Sequence, residues 1–596
     1  MNDIQKRKTP SSPSLARAFE MISHLDQNSR NSLPSLLDSL AGEFESAPAL
    51  IDESEVISFR ALDERINQFA RWALQQGLQA GDVVCLLMQN CPQYPAVWLG
   101  LTQVGVITAL INTNLKLDAL AFAINSATPK HVIVGADLAD DLLKVKPALG
   151  STVECWIFKG DSSNLRPLAP ELEAQVGDPL SEEEKRAPSL ADCALYIYTS
   201  GTTGLPKPAR VSHFRLMQWS YWFAGMMGVS SDDRMFNCLP MYHSVGGVAA
   251  VGALLVKGGA VVIRPRFSAS HFWRDLVEWD CTIFQYIGEL CRYLLKMPYD
   301  PHEGQHHLRL CCGNGLRADV WEAFQNRFRI PHIIEFYAST EGNVSLYNCE
   351  GKIGAIGRLP SYLARWSNIA LVKLDHDSGQ PVRTPDGLCI RCLPGEVGEA
   401  IGRISDAGSS PSRFEGYVDP NASAAKILTD VLTKGDRWFR TGDLMRQDRS
   451  GYYYFIDRIG DTFRWKGENV STIEVANKIA AFPGVSEVVV YGVTVPGTEG
   501  RAGMAAIVVN REFDLGSFHR FLVNNLPDYA RPLFLRLCDR LETTETFKSK
   551  TTKLVQEGYN PETMSDKLFF RDRVRETFVA LDSVLQNRIY KGEVPL

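Results

Sequence analysis

An α/β fold built from parallel-rich sheets, followed by a smaller α+β unit, is predicted by three observations. Short apolar runs alternate with helical stretches through most of the chain, the rhythm of strands joined by crossover helices. The texture changes from Cys389 onward to alternating strands and tight turns. The chain is also 596 residues long, more than one hydrophobic core organises, so at least two domains are expected.

The elements follow in order. "MNDIQKRKTPSSPS" is polar and basic, without an apolar core, and reads as a tail rather than a secretory leader. "LARAFEMISHLDQ" has the pattern of an amphipathic helix, which suits packing on the body or contact with a membrane surface. "ALDERINQFARWALQQG" and "SASHFWRDLVEW" read as helices. "GDVVCLLM", "HVIVGAD", "VECWIF", "CALYIYTS", "GAVVIRP" and "HLRLCCGNG" read as buried strands. The stretch Val83 to Leu115 carries no charge. Its best window, "PAVWLGLTQVGVITALI", is slightly short of the roughly 20 residues a bilayer span needs; a membrane span and a buried helix followed by a buried strand both account for it, and the buried reading is favoured. "RWFRTGDLMRQDRSGYYYFIDRIGD" predicts a hairpin turning at Ser450-Gly451. Ser471 followed by Glu474 has capping-box spacing and predicts a helix start. "SEVVVYGVTV" and "AGMAAIVV" then read as strands and "SFHRFLVNNLP" as a helix. The expected division is a tail over 1–30, a large domain over 31–459 and a small one over 460–596.

Composition narrows the function. The 63 basic and 69 acidic side chains leave a net charge of −6, which argues against nucleic acid as partner, because phosphates call for a basic surface. Thirteen scattered cysteines suit free thiols in a reducing compartment, so a cytoplasmic protein, or one peripheral to the cytoplasmic face of a membrane, is expected rather than a secreted one. The pair Cys389 and Cys392 has no second pair at zinc-finger spacing.

One loop points to chemistry. "TSGTTGLPK", Thr199 to Lys207, follows a strand. Glycines let backbone N–H groups turn toward an anion, hydroxyls add donors, and Lys207 supplies charge. The loop is not a Walker A sequence. A Gly/Ser/Thr turn is by itself also an ordinary linker.

Further motifs accompany it in order: "LPMYHSVGG" (239–247), "CGNGL" (312–316), "YASTEGN" (337–343), "FEGYVDP" (414–420), "RTGD" (440–443) and "DRIGDTFRWKGENVSTIEV" (457–475). Together they resemble the adenylate-forming superfamily over about residues 35 to 560. "DTFRWKGENVST", "TFKSK" (546–550) and "FQYIGELCRYLL" (284–295) resemble its fatty acid transport protein branch, also called very-long-chain acyl-CoA synthetases.

The resemblance implies a large adenylation domain with a small barrel-like β subdomain and a mobile C-terminal lid. It implies two half-reactions. A carboxylate attacks the α-phosphate of ATP to give an acyl adenylate and pyrophosphate; the thiol of CoA then displaces AMP. It implies ATP and CoA as cosubstrates with Mg²⁺ as cofactor, and a long- or very-long-chain fatty acid as substrate. On that likeness Thr199, Ser200, Gly201, Thr202, Thr203, Gly204 and Lys207 cradle phosphates. Glu341 holds Mg²⁺ and Thr340 contacts the α-phosphate. Tyr337, with Ala338 and Ser339, and Gly313, Asn314 and Gly315 enclose the adenine. Asp443 and Arg458 hold the ribose, and His243 borders the acyl carboxylate. Lys548 is the implied catalytic lysine, with Lys550 and Lys553 as nearby rivals; only Lys548 follows Thr-Phe. The hinge falls at Gly460 and Asp461, where many relatives carry Asp or Lys at the first of these places, and Arg464, Trp465, Lys466 and Gly467 are expected to face CoA. The acyl pocket is expected along about 221–251 and 284–295. Rival readings are a membrane-associated fatty acid uptake or binding protein with weak ligase activity, and an acyl-AMP ligase loading a carrier protein.

Overall fold

The structure is a computed structural model, and it describes residues 12–26, 29–186, 188–200, 206–359, 368–375, 378–405, 414–459, 462–465, 468–498, 500–542 and 551–596. The chain divides into two compact units. The first comprises Met1–Arg358, Gly402–Leu428 and Arg437–Phe439; the second comprises Leu359–Ile401, Thr429–Asp436 and Arg440–Leu596.

Two sheets organise the first unit. One runs, in spatial order, through Arg166–Pro167, Glu154–Phe158, His131–Gly135, Val83–Leu87, Ile107–Leu110, Cys193–Ser200 and Pro206–Ser212. All its pairings are parallel except the last, an antiparallel hairpin. The other sheet runs Ser345–Asn348, Ile333–Ala338, Leu310–Asn314, Ile283–Ile287, Arg234–Asn237, Ala260–Ile263, Pro48–Ile51 and Val56–Ser58. It is parallel inside and antiparallel only at its two edges. Helices cover such sheets, so their central strands are apolar on both faces. Val83–Leu87 and Ile107–Leu110 are buried throughout.

The uncharged stretch resolves as expected: buried strand, helix Gln93–Gln103, buried strand. Trp98 and Tyr94 of that helix are fully buried. Among the described residues no helix is long and apolar enough to cross a membrane. The amphipathic segment near the N-terminus forms helix Pro13–Ile22, and its apolar face meets the body. Phe19 packs edge-on against Trp222, and Arg17 Nε donates to the Gly225 carbonyl at 3.1 Å.

In the second unit the part of strand Arg437–Gln447 from Arg440 onward and strand Tyr452–Arg458 form the expected hairpin, with Asp448 accepting from the Ser450 and Tyr452 amides across the turn. Ser471 caps helix Thr472–Ala480, accepting from the Glu474 amide at 3.2 Å. A five-stranded sheet follows, Val485–Val493, Ala502–Val509, Phe534–Cys538, Lys567–Asp572 and Thr577–Ala580 in spatial order, around a core that includes Phe518 and Phe534.

Candidate active site

The hairpin that ends the first sheet positions the phosphate-loop residues. Antiparallel pairing sets Thr199 opposite Lys207 and Ser200 opposite Pro206. Gly201, Thr202, Thr203 and Gly204 lie outside the described residues. Tyr198, one residue earlier, anchors the strand by donating to the Ala123 carbonyl at 2.7 Å.

In the same unit, strand Ile333–Ala338 delivers Tyr337, Ala338, Ser339, Thr340 and Glu341 at its carboxyl end, where parallel sheets present ligand-binding loops. The turn is compact. A Cβ on Gly342 would lie 2.2 Å from Ser339 Oγ and 2.6 Å from the Phe439 ring, so only glycine fits there. Ser339 Oγ is buried with no hydrogen-bond partner among the described residues. The Thr340 hydroxyl lies 3.2 Å from that of Ser244, and the Thr340 carbonyl accepts from Arg215 Nη1 at 2.8 Å.

The neighbouring strand, Leu310–Asn314, brings up Gly313, Asn314 and Gly315. A Cβ on Gly313 would stand 2.2 Å from the Tyr286 carbonyl oxygen, which explains the glycine at that crossing. Beneath this loop sits Glu335, 1% exposed. It accepts from the Tyr286 hydroxyl at 2.5 Å and from the Leu316 amide at 3.1 Å. Burial pushes its carboxyl up to about 8, opposed by those hydrogen bonds. At neutral pH it is largely a neutral acid fastening the 313–315 loop from below.

That shift has a sign. Below about 4.5 both folded and unfolded chains hold the proton, and the contribution to stability is complete. Between there and about 8 only the folded chain holds it, so stability falls as pH rises, by about 1.4 kcal/mol per unit at most. Glu335→Gln is expected to abolish this slope. Urea unfolding of both proteins between about pH 5 and 8 measures it; parallel curves would mean that Glu335 holds no extra proton.

His243 lies in the turn before a π-helical segment, Val245–Ala249, and its carbonyl accepts from the Gly247 amide at 2.9 Å. Such irregular helical turns are common where side chains must be aimed at a site. The His243 ring lies 4.5 Å from that of Tyr242, and its neighbour Ser244 is the residue that meets Thr340. The helix His213–Met227 and the segment Ile283–Lys296, where the acyl pocket is expected, also belong to this unit.

Three residues that the structure brings to this turn escaped the sequence reading. The Tyr417 hydroxyl donates to Glu341 Oε1 at 2.9 Å, and the Thr199 side chain bonds the same phenol. Burial and then the Glu341 carboxylate hold that phenol well above the usual tyrosine range, so it stays protonated and donating. Glu415, two residues earlier, accepts from the Ser212 amide at 2.7 Å and from its hydroxyl at 2.5 Å, and faces Arg215 at 3.6 Å. Arg215 is the third. The strip 415–417 thereby ties together the end of the phosphate hairpin, the start of helix His213–Met227 and the Thr340–Glu341 turn. For Glu415 and Tyr417 the motif "FEGYVDP" was the available signal, but nothing local in it names a partner.

In the second unit Asp443 and Arg458 sit opposite each other in the hairpin, with Asp443 Oδ1 3.3 Å from Arg458 Nε. Asp443 is 7% exposed, and its amide donates to the Thr441 hydroxyl at 3.0 Å. The adjacent Asp457 accepts from the Thr472 amide at 2.7 Å and so fastens the hairpin to the following helix. Arg464 is exposed, whereas Trp465 is 3% exposed and packs in the core of this unit. Gly460, Asp461, Lys466, Gly467, Lys548 and Lys550 lie outside the described residues; Lys553 pairs with Glu542 at 2.8 Å.

The family of AMP-binding enzymes matches residues 37–403, and the AMP-binding enzyme C-terminal domain matches residues 474–548. The fold agrees. The crystal structure of the anthranilate CoA ligase AuaEII, in complex with anthranoyl-AMP, superposes with a TM-score of 0.76 at 20% identity, covering 90% of this chain and 98% of that one. The chain is thus an AMP-binding enzyme of the adenylate-forming superfamily. Long-chain fatty acid transport protein 1 of Mus musculus is 41% identical over 576 residues, 95% of this chain and 88% of the relative. Long-chain fatty acid transport protein 6 of the same organism is 40% identical over 575 residues, 95% of this chain and 92% of the relative. The chain belongs to this family of long-chain fatty acid transport proteins.

Proposed function

We propose that the protein is an AMP-forming fatty acid–CoA ligase that activates a long- or very-long-chain acid as its acyl adenylate and transfers the acyl group to CoA. The observation that carries this reading is the convergence of Thr199, Glu341 and Tyr417, beside Thr340, at the strand ends of one unit. A carrier that only bound lipid would have no use for it.

The chemistry sets the roles. A carboxylate is a poor electrophile, and its approach to a polyphosphate brings like charges together. Lys207, opposite Thr199, supplies positive charge at the phosphate loop. The Thr340 hydroxyl is offered to the α-phosphate, with its backbone held by Arg215. Tyr337 and the 313–315 loop take the adenine, and Asp443 with Arg458 the ribose hydroxyls. His243 borders the acyl carboxylate. The carboxylate and hydroxyl oxygens around Glu341 suit a hard cation, and Mg²⁺ held by Glu341 would neutralise phosphate oxygens. The phenol of Tyr417 orients the Glu341 carboxylate whatever occupies it. Adenylation is assigned to the domain 31–459 and the moving lid to 460–596, with Gly460 and Asp461 at the pivot. Arg464, Trp465, Lys466 and Gly467 are assigned to the CoA half-reaction; for the buried Trp465 that role runs through support of the strand carrying it.

The relatives' name, transport protein, fits the same chemistry: conversion to a thioester traps an acid that has crossed a membrane, at a site peripheral to that membrane. The test is the purified protein with ATP, Mg²⁺, CoA and acids from acetate to tetracosanoate, following AMP and thioester. Both products with the long acids are expected. AMP without thioester would point to a carrier-protein acceptor, and no AMP with any acid would end the ligase reading.

Tyr417→Phe tests the orientation of Glu341. It removes one hydrogen bond to a charged group, worth about 1.5–3 kcal/mol. Adenylate formation is therefore expected to fall roughly ten- to hundredfold, with the apparent magnesium requirement rising. An unchanged magnesium dependence would detach Tyr417 from the metal site.

A further inference from the structure

The second unit contains a cavity of ≈ 600 Å³ that the ligase chemistry does not use. Helix Leu515–Asn525 contributes His519 and Arg520, the turn after it contributes Asp528 and Arg531, and the end of strand Lys567–Asp572 contributes Arg571 and then Arg573. Four arginines line it against two carboxylates, Asp528 and Glu576.

Asp528 is heavily shared. Its Oδ1 accepts from Arg571 Nη1 at 3.2 Å and lies 3.6 Å from Arg531 Nη1, and its Oδ2 bonds Arg573. Three guanidinium groups therefore converge on one carboxylate. Arg531 has further partners in the Leu526 and Val523 carbonyls, to which its Nε and Nη2 donate. Arg571 is less well served. It is 3% exposed, and its Nε is buried without a hydrogen-bond partner among the described residues. A buried, incompletely paired guanidinium is costly. Burial and the Arg531 charge pull Arg571 down to about 10. Burial, and then Arg571 and Arg531, lower His519 as well, which keeps the ring from adding charge of its own.

Such an excess of planar, forked donors matches the oxygens of a phosphate group, which accept two parallel N–H bonds from one guanidinium. We infer that this cavity is a binding site for a phosphate-bearing anion, either free or as a monoester headgroup, held by Arg571 and Arg573. The inference is independent of the ligase reading, since none of these residues has a part in it.

The test compares wild type with Arg571→Leu and Arg573→Gln in the full chain. Arg573 is one-third exposed, so its variant is expected to fold even where the buried one does not; circular dichroism checks both. Calorimetric titration with inorganic phosphate at constant ionic strength is one arm. Sedimentation with phosphatidic acid vesicles, against phosphatidylcholine vesicles, is the other. Loss of phosphate affinity by about tenfold or more in folded Arg573→Gln supports the site for a free anion. A loss seen only with phosphatidic acid vesicles supports it for a headgroup. A wild type that binds neither probe, or a folded Arg573→Gln that binds both as tightly as wild type, overturns it.

Discussion

Lys548→Ala is expected to abolish most adenylate formation, by about 10²–10³ in rate, while leaving thioester formation from supplied acyl-AMP largely intact. The reason is charge. In the proposed first half-reaction, negative charge moves from the carboxylate to the α-phosphate and on to departing pyrophosphate. One ammonium reaching both groups stabilises that movement, and a methyl in its place cannot. The second half-reaction places a thiol against an already activated acyl group, where that ammonium is not called for. The measurement is pyrophosphate release on mixing acid with ATP, set beside CoA thioester from synthetic acyl adenylate. Lys550→Ala and Lys553→Ala are the controls; the latter removes an exposed ion pair with Glu542 and should change little. Equal loss of both half-reactions in Lys548→Ala would count against its assignment.

The second large effect belongs to Glu415→Ala. The Arg215 and Glu415 side chains are 6% and 7% exposed. Removing the acid takes from the buried Arg215 its carboxylate partner in this strip, and strips the Ser212 amide and hydroxyl of their acceptor. Breaking a buried pair in this one-sided way costs about 3–5 kcal/mol. Activity should fall by more than stability alone explains, because Arg215 also holds the Thr340 carbonyl and Tyr417 lies two residues from the lost anchor. Glu415→Gln keeps an acceptor for Ser212 and is expected to recover part of the stability but less of the rate. Chemical denaturation and adenylate formation, measured on both variants, separate the two effects. A Glu415→Ala protein as stable and as active as wild type would show that the strip does not organise the site.

Several parts of the site could be read in advance because their causes are local. The loop of Thr199 to Lys207 follows a strand, and the glycines at 313 and 315 mark places where backbone crowds backbone or turns sharply. Capping of helix Thr472–Ala480 by Ser471 needs only neighbours three residues apart. The uncharged stretch from Val83 was legible as core because its two strands and its helix are each too short to span a bilayer.

The amino-acid order by itself determined the α/β rhythm, the identity of the loops and the family, since hydrophobic period, glycine placement and turn chemistry act over a few residues. Only the tertiary structure decided that Tyr417 would serve Glu341 across 76 residues, that Arg215 would hold Thr340 across 125, and that Glu415 would anchor Ser212 across 203. It also decided that Arg571 would be buried in a cavity short of acid. A charge or a hydroxyl carries no local mark of its partner. Its role is set by which strands the topology makes neighbours, and by how far burial then strengthens the few interactions that remain.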